Sequence, residues 1–278
     1  MSLGTRISVV MLVTAVVTAA PAFVARAYAG AARQEGLLLT ATEVLEDVQG
    51  MPDQRVPDAL LARAYGIAVI PDVTKIAFIF GGRHGNGVVV VRDSLTSAWS
   101  NPVFLSLTGG SWGLQAGAQS SDIILVFTSK AGTEGIAGGR MTLGADASVA
   151  AGPVGRQASA NTDISLAEIY SYARTRGLFG GIAVDGSVLS IDHSADAALY
   201  NKPGVTASEI FSGKAPAPPE TAMRFLGRLS QLTHSPMRTP STPQADMPAA
   251  APPAPGAQAA PAAPPAAPPR TYPLENQN

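Results

Sequence analysis

IAVIPDVTKIAFIFGGRHGNGVVVVR, residues 67–92, is where the hydrophobic pattern of this chain changes its period. Ile67-Ala68-Val69-Ile70 is a short apolar run, and Lys75–Phe80 and Gly87–Arg92 follow it. Runs rich in β-branched and aromatic residues, bounded by glycines, predict β-strands. Gly81-Gly82-Arg83-His84-Gly85-Asn86 separates the last two runs and reads as the glycine-rich loop of a hairpin.

Working outward, the N-terminal side has a period near 3.6. Leu37, Leu38, Ala41, Val44, Leu45 and Val48 recur at helical spacing, which predicts an amphipathic helix over Glu35–Val48. A shorter helix is expected over Pro57–Tyr65. On the C-terminal side the expected strands are Val103–Leu107, Trp112–Ala118, Ile123–Thr128, Met141–Leu143, Ala147–Ala150, Ala167–Ala173, Leu178–Val184 and Ser187–Asp192. Asp185-Gly186, between the last two, is a strong two-residue hairpin signal. Helices are expected at Lys130–Ile136, Ser194–Tyr200, Ala207–Phe211 and Glu220–Leu232. Strands that follow one another through short turns, without crossover helices, imply an α+β fold. Its core is a curled or barrel-like antiparallel β-sheet with N-terminal and C-terminal helices packed on it.

The two ends of the chain differ from this middle. Residues 1–29 carry Arg6, an apolar run from Ile7 to Ala25 and a small-x-small pattern at Ala27-Tyr28-Ala29, the marks of an export signal cleaved after Ala29. From Pro236 the composition shifts, and Ala249–Pro269 is almost entirely alanine and proline. Such a segment cannot bury enough apolar surface to offset its ordering entropy and is expected to be a disordered spacer over 236–278. The globular domain is thus placed at 31–235, in a periplasmic or cell-envelope protein.

Composition narrows the function. The chain has no cysteine, so disulfides, thiolate metal sites and cysteine nucleophiles are excluded. A formal charge of −1 argues against non-specific nucleic-acid binding. There is no Walker A or G-x-G-x-x-G pattern, no cofactor is implied, and His84, His193 and His234 have no metal-ligand spacing. Gly109-Gly110-Ser111-Trp112-Gly113 matches G-x-S-x-G, but that nucleophile elbow needs a helix after the turn, and the alternating sequence after Gly113 predicts a strand. A serine hydrolase using Ser111 is therefore a remote alternative.

Two local groupings could receive an anion. Gly152-Pro153-Val154-Gly155-Arg156 is a rigid turn with a cation at its tip, readable as a plain hairpin corner or as a phosphate contact. Arg174 and Arg176 share one face if their stretch is extended, with Tyr170 and Tyr172 nearby, and could be a solvated strand end or a lipid-phosphate site.

Taken in order, several motifs resemble the SYLF domain family, the lipid-binding domain also labelled as an actin regulator from its yeast members. They are Ala64-Tyr65-Gly66-Ile67-Ala68-Val69-Ile70-Pro71, Gly85-Asn86-Gly87, Trp99-Ser100-Asn101-Pro102, Gly113-Leu114-Gln115-Ala116-Gly117 and Leu143-Gly144 through Gly152-Pro153-Val154-Gly155-Arg156. Tyr170-Ser171-Tyr172 with Arg176-Gly177-Leu178-Phe179-Gly180-Gly181 completes the set. The resemblance implies non-catalytic phospholipid binding. In this family an N-terminal amphipathic segment assists membrane contact. Here the helix over Glu35–Val48 carries Glu43, Glu46 and Asp47, which anionic lipids would repel, so it is expected to pack on the sheet instead. Candidate head-group contacts are Lys75, Arg83, Arg92, Lys130, Arg156, Arg174 and Arg176, with Gly152, Pro153 and Gly155 as the supporting turn. Membrane phospholipids are the expected partners and an envelope protein the alternative. Actin is not expected as the partner of an exported chain.

Overall fold

A computed structural model describes residues 29–48, 50, 56–77, 80–93, 95–112, 117–154, 167–175 and 178–234, all within one compact unit. The expected export signal falls outside them except for Ala29, and the proline-rich tail falls outside them entirely.

The helix α1 spans 29–48 and buries Leu38, Ala41, Val44, Leu45 and Val48, the face that the sequence pattern marks. Its acids also point to intramolecular work. Asp47 pairs with Arg174 of the sheet, and Glu46 lies 3.7 Å from Arg228 of the C-terminal helix. The helix packs on the protein, as its acidic polar face implied. α2 (Asp58–Ala62) and the C-terminal helix α6 (Glu220–Thr233) join it. Together they meet the sheet around an apolar cavity of 360 Å³ lined by Leu45, Val48, Ile67, Ile124 and Leu229.

Among the described residues, nine strands form one sheet: β1 (Gly66–Ala77), β2 (Phe80–Val91), β3 (Val103–Trp112), β4 (Gly117–Phe127), β5 (Arg140–Thr142), β6 (Val149–Ala151), β7 (Ile169–Thr175), β8 (Leu178–Gly181) and β9 (Val188–Ile191). The order is β5-β9-β3-β2-β1-β4-β7-β6, with β8 also on β7. All neighbours are antiparallel except β6 and β7, which pair in parallel over Val149–Ala151 and Ile169–Ser171. This refines the antiparallel expectation. β6 and β8 share the outer edge of β7, and β6 reaches it in the opposite sense.

Two turn readings are corrected. Gly81–Asn86 is no loop: Gly81, Gly82, Arg83 and His84 pair with Ala77, Ile76, Lys75 and Thr74, and β2 continues without a break. Its glycines serve a bulge instead. Pro71 has no N–H for a central strand, and Asp72 takes a φ of +50°, so the β1 ladder shifts register between Val69 and Thr74. A Cβ at Gly87 would stand 2.4 Å from the Val69 carbonyl oxygen. The second correction concerns Asp185-Gly186. The turn exists, with Gly186 at φ +71°, but β8 and β9 do not pair. They lie six strand steps apart, about 29 Å in a flat sheet. The chain from Gly181 to Val188 reaches at most about 25 Å when fully extended. The sheet must therefore curl for this strap to connect its two sides. The strap crosses close to β3, where a Cβ on Gly109 would stand 2.5 Å from Ser187 Oγ.

The remaining helices are α3 (Lys130–Ala137), α4 (His193–Leu199) and α5 (Ala207–Phe211). Asp192 accepts from the N–H groups of Ser194 and Ala195 and caps α4, so His193 opens a helix and does not extend a strand.

Candidate functional site

The four central strands are long, and their two halves differ. Around Ile67–Ile70, Val88–Val90, Val103–Leu105 and Ile123–Phe127 both faces are buried. Beyond the Pro71-Asp72 bulge, residues 74–76 of β1, 81–84 of β2, 108–110 of β3 and 117–121 of β4 are exposed or half-buried in succession, on both faces. This distal half holds the first candidate cations. Lys75 and Arg83 sit directly opposite each other on β1 and β2. Like charges in that register repel, so the pair is a local positive field with a cost of its own. Arg83 Nη1 donates to the Ala183 carbonyl of the strap at 3.2 Å, and Arg83 Nε is buried with no hydrogen-bond partner. Burial lowers the Arg83 pKa, and the negative charge of Asp185 works against that shift. Segments 73–86 and 106–121 contain Lys75, Arg83 and His84 and no aspartate or glutamate. In a chain with 20 acids against 19 Lys and Arg, that exclusion gives one end of the sheet a sign of its own. Ile76, adjacent to Lys75 and on the other face, is 63% exposed.

Arg92 and Lys130 come together at the opposite end, where they line a groove of 640 Å³ with Arg63 and Tyr65. Their charges are already engaged. Arg92 donates to the Ala62 carbonyl at 2.7 Å and the Leu61 carbonyl at 3.1 Å, closing the C-terminus of α2, and its guanidinium lies 4.6 Å above the ring of Trp99. Burial lowers its pKa. Lys130 pairs with Glu134 at 3.3 Å. Leu95 stands beside this groove, 96% exposed, on a loop in which Asp93 Oδ1 accepts from Leu95 N, Thr96 N and Thr96 Oγ1.

Arg174 is also engaged. Its Nε donates to Asp122 Oδ2 at 2.9 Å, and it pairs with Asp47. Burial disfavours its charge, but the carboxylates of Asp122 and Asp47 outweigh that and hold its pKa above the ordinary value. The guanidinium ties α1 to β4 and β7. Arg156, Arg176 and Gly155 lie outside the described residues. The other turn residues have a packing role. A Cβ on Gly152 would fall 2.0 Å from Tyr172 Cζ, and Tyr172 donates its hydroxyl proton to the Pro153 carbonyl at 3.1 Å. Tyr172 in turn stacks on Phe179 at 5.4 Å. The glycine and proline of this motif lock β6 against β7.

Ser111 lies inside β3, opposite Gly81, whereas Asp192, which caps α4, and the adjacent His193 stand at the Phe104 end of that strand. The strand–turn–helix of a nucleophile elbow is not formed at Ser111. Reasoning from the sequence missed Ile76, Arg63 and Leu95 as site residues. The absence of acids on either side of Ile76 was a readable signal, but only the register joins segments 73–86 and 106–121 into one surface.

Residues 108–232 match a family model, Ysc84, described as Las17-binding protein actin regulator. Among curated proteins, an SH3 domain-containing protein of Schizosaccharomyces pombe is 37% identical over 59% of this chain and 38% of its own length. Protein YSC84 of Saccharomyces cerevisiae is 34% identical over 60% of this chain and 36% of its own length. The SH3 domain-containing YSC84-like protein 1 of Xenopus laevis is 33% identical over 61% of this chain and 50% of its own length. The matched region thus spans half or less of these relatives.

Proposed function

Because the chain belongs to the Ysc84 (SYLF) family, matched over residues 108–232, we propose that it is an exported, non-enzymatic phospholipid-binding protein of the cell envelope. Anionic head groups meet it at the distal end of the sheet, with Lys75 and Arg83 as the principal contacts. The observation that carries this reading is a half-sheet whose strand segments 73–86 and 106–121 contain no acid, bordered by Asp72 and Asp185, in which two cations face each other and an exposed isoleucine stands beside them. A phosphate between Lys75 and Arg83 would relieve their repulsion and accept charge-assisted hydrogen bonds from both. Co-sedimentation of the full chain with phosphatidylglycerol vesicles at low salt tests it, with phosphatidylcholine vesicles as the control. Lys75→Glu should weaken binding at least fivefold and flatten its salt dependence. Absence of binding to the anionic vesicles would remove the reading.

A second reading is an interaction module on a proline-rich spacer. It is favoured by Leu95, which a hydrogen-bonded loop presents to solvent beside the Arg63/Lys130 groove. The family description names a protein partner, Las17, and the partner here would be an envelope protein. Pull-down from envelope extracts with and without Leu95→Ser separates this reading from the first. Loss of a captured protein without loss of vesicle binding would support it.

A further inference from the structure

We propose that the distal end of the sheet is a bilayer wedge, with the apolar ends of β1, β2 and β3 entering the acyl boundary while Lys75 and Arg83 stay in the phosphate layer. This inference rests on the phospholipid reading and adds a different physical claim, penetration beyond charge attraction.

Three observations point to it. First, the register places Phe80 opposite Trp112 at the strand ends and Ala77 opposite both Gly81 and Gly117, so the outermost rungs of the sheet hold no charged residue. Second, the next row across the sheet reads Gly110, Gly82, Ile76, Ala118. A Cβ on Gly110 would meet nothing within 4 Å, and Ile76 is the one large side chain of that row. Leu178, 70% exposed, starts β8 at the same end of the sheet, where Thr175 of β7 meets Gln119 of β4. Third, Lys75 lies two residues back from Ala77, about 7 Å along the strand. That spacing suits an apolar edge below the phosphates and cations level with them.

Backbone chemistry sets the depth. β1 is paired on both sides out to Ala77 and β2 out to Gly81, so among the described residues the backbone of these two strands is satisfied within the sheet. β9 covers β3 only over Leu105–Thr108, and β7 covers β4 only over Asp122–Phe127. The outer edges of β3 and β4 beyond those residues would lose their water in hydrocarbon. The wedge therefore stops at the interface and does not span.

The chain has 2 tryptophans, which makes the test direct. Trp99 is fully buried and donates to Thr233 Oγ1 at 2.8 Å, so it is a silent internal reference. The full chain is mixed with phosphatidylglycerol vesicles whose acyl chains carry bromine, and tryptophan emission is read alongside co-sedimentation. Partial quenching is expected, lost in Trp112→Phe. Ile76→Asp should lower vesicle affinity at least tenfold with an unchanged melting temperature. Co-sedimentation without Trp112 quenching would overturn the wedge and leave the phospholipid reading standing. No co-sedimentation would overturn both. Self-association that Ile76→Asp abolishes, without quenching, would place a second copy on this end and also overturn the wedge.

Discussion

The proximal and distal halves of β1–β4 belong to the same strands and the same hydrogen-bonded ladders, yet they are different materials. In the proximal half Val69, Val88, Leu105 and Leu125 are fully or almost fully buried, with helices over the sheet. In the distal half Thr74, Ile76, Gly82, His84 and Ala118 are exposed. The glycines divide in the same way, except Gly109, whose added Cβ would stand 2.5 Å from Ser187 Oγ of the strap. A Cβ on Gly66, Gly85 or Gly87 would come within 3 Å of a neighbour, whereas Gly110 and Gly117 have open space and Gly82 meets nothing closer than 3.9 Å. Ladder bonds extend a strand past its core, but burial decides what each residue there is for. Stability resides in the proximal half, and the distal half is free to be a surface.

The proximal half buries a charge, and this gives the largest expected effect. Asp196 on α4 is fully buried, accepts from Phe104 N at 2.8 Å through Oδ1 and leaves Oδ2 without a partner. Burial raises its pKa from 3.8 to about 7. An acid with a raised folded value binds its proton more tightly when folded. The penalty is absent below about pH 4, grows as the pH rises and is complete above about pH 7. Its full size is about 4 kcal/mol. Denaturant unfolding of Asp196→Asn and wild type at pH 4 and pH 8 should show the variant gaining relative stability at the higher pH. A gap that does not change with pH would mean that water or a rearrangement already satisfies Oδ2.

Truncating one residue type in each half sharpens the contrast. Ile67→Ala removes a side chain that is 1% exposed and should cost about 3 kcal/mol. Ile76→Ala, at 63% exposure on the same strand, should cost under about 1 kcal/mol. Comparable losses would mean that the distal half is covered in solution. Glycine gives the same contrast at smaller scale. Gly87→Ala drives a Cβ into the Val69 carbonyl and Ile70, for about 2 kcal/mol, and no flexible side chain can relieve the backbone part of that contact. Thermal melting reads all three variants.

Much of this was legible in the sequence, for reasons specific to each element. α1 was readable because its apolar face repeats over many turns, and α5 lies at its expected bounds, where the structure adds a capping box of Thr206 and Glu209. The long strands were cut short in the reading because Pro71 and the Gly81–Gly87 cluster normally signal turns. Here they serve a bulge and the close approach of a neighbouring strand, which only the paired strand reveals. Asp185-Gly186 was a true turn with the wrong consequence, since the partners of β8 and β9 lie far away in sequence. The cations were all visible, but their use was not. Arg92 and Arg174 look as available as Lys75 until Ala62, Trp99, Asp47 and Asp122 are placed around them.

The smallest effect probes the comparison most sensitively. Gly110 has no positive φ and nothing within 4 Å of its Cβ position, so alanine fits there without strain. Restricting the unfolded chain alone should then stabilise Gly110→Ala by about 0.5 kcal/mol. The sign carries the information. A gain confirms that the row of Gly110, Gly82, Ile76 and Ala118 is open in the free protein, as a surface waiting for a partner must be. A loss would mean that something already lies on that row in solution, and the distal half would then be a covered interface of the same material as the proximal one. Chemical denaturation at several protein concentrations separates the cases, because cover by a second copy makes the loss grow with concentration and an intramolecular cover does not.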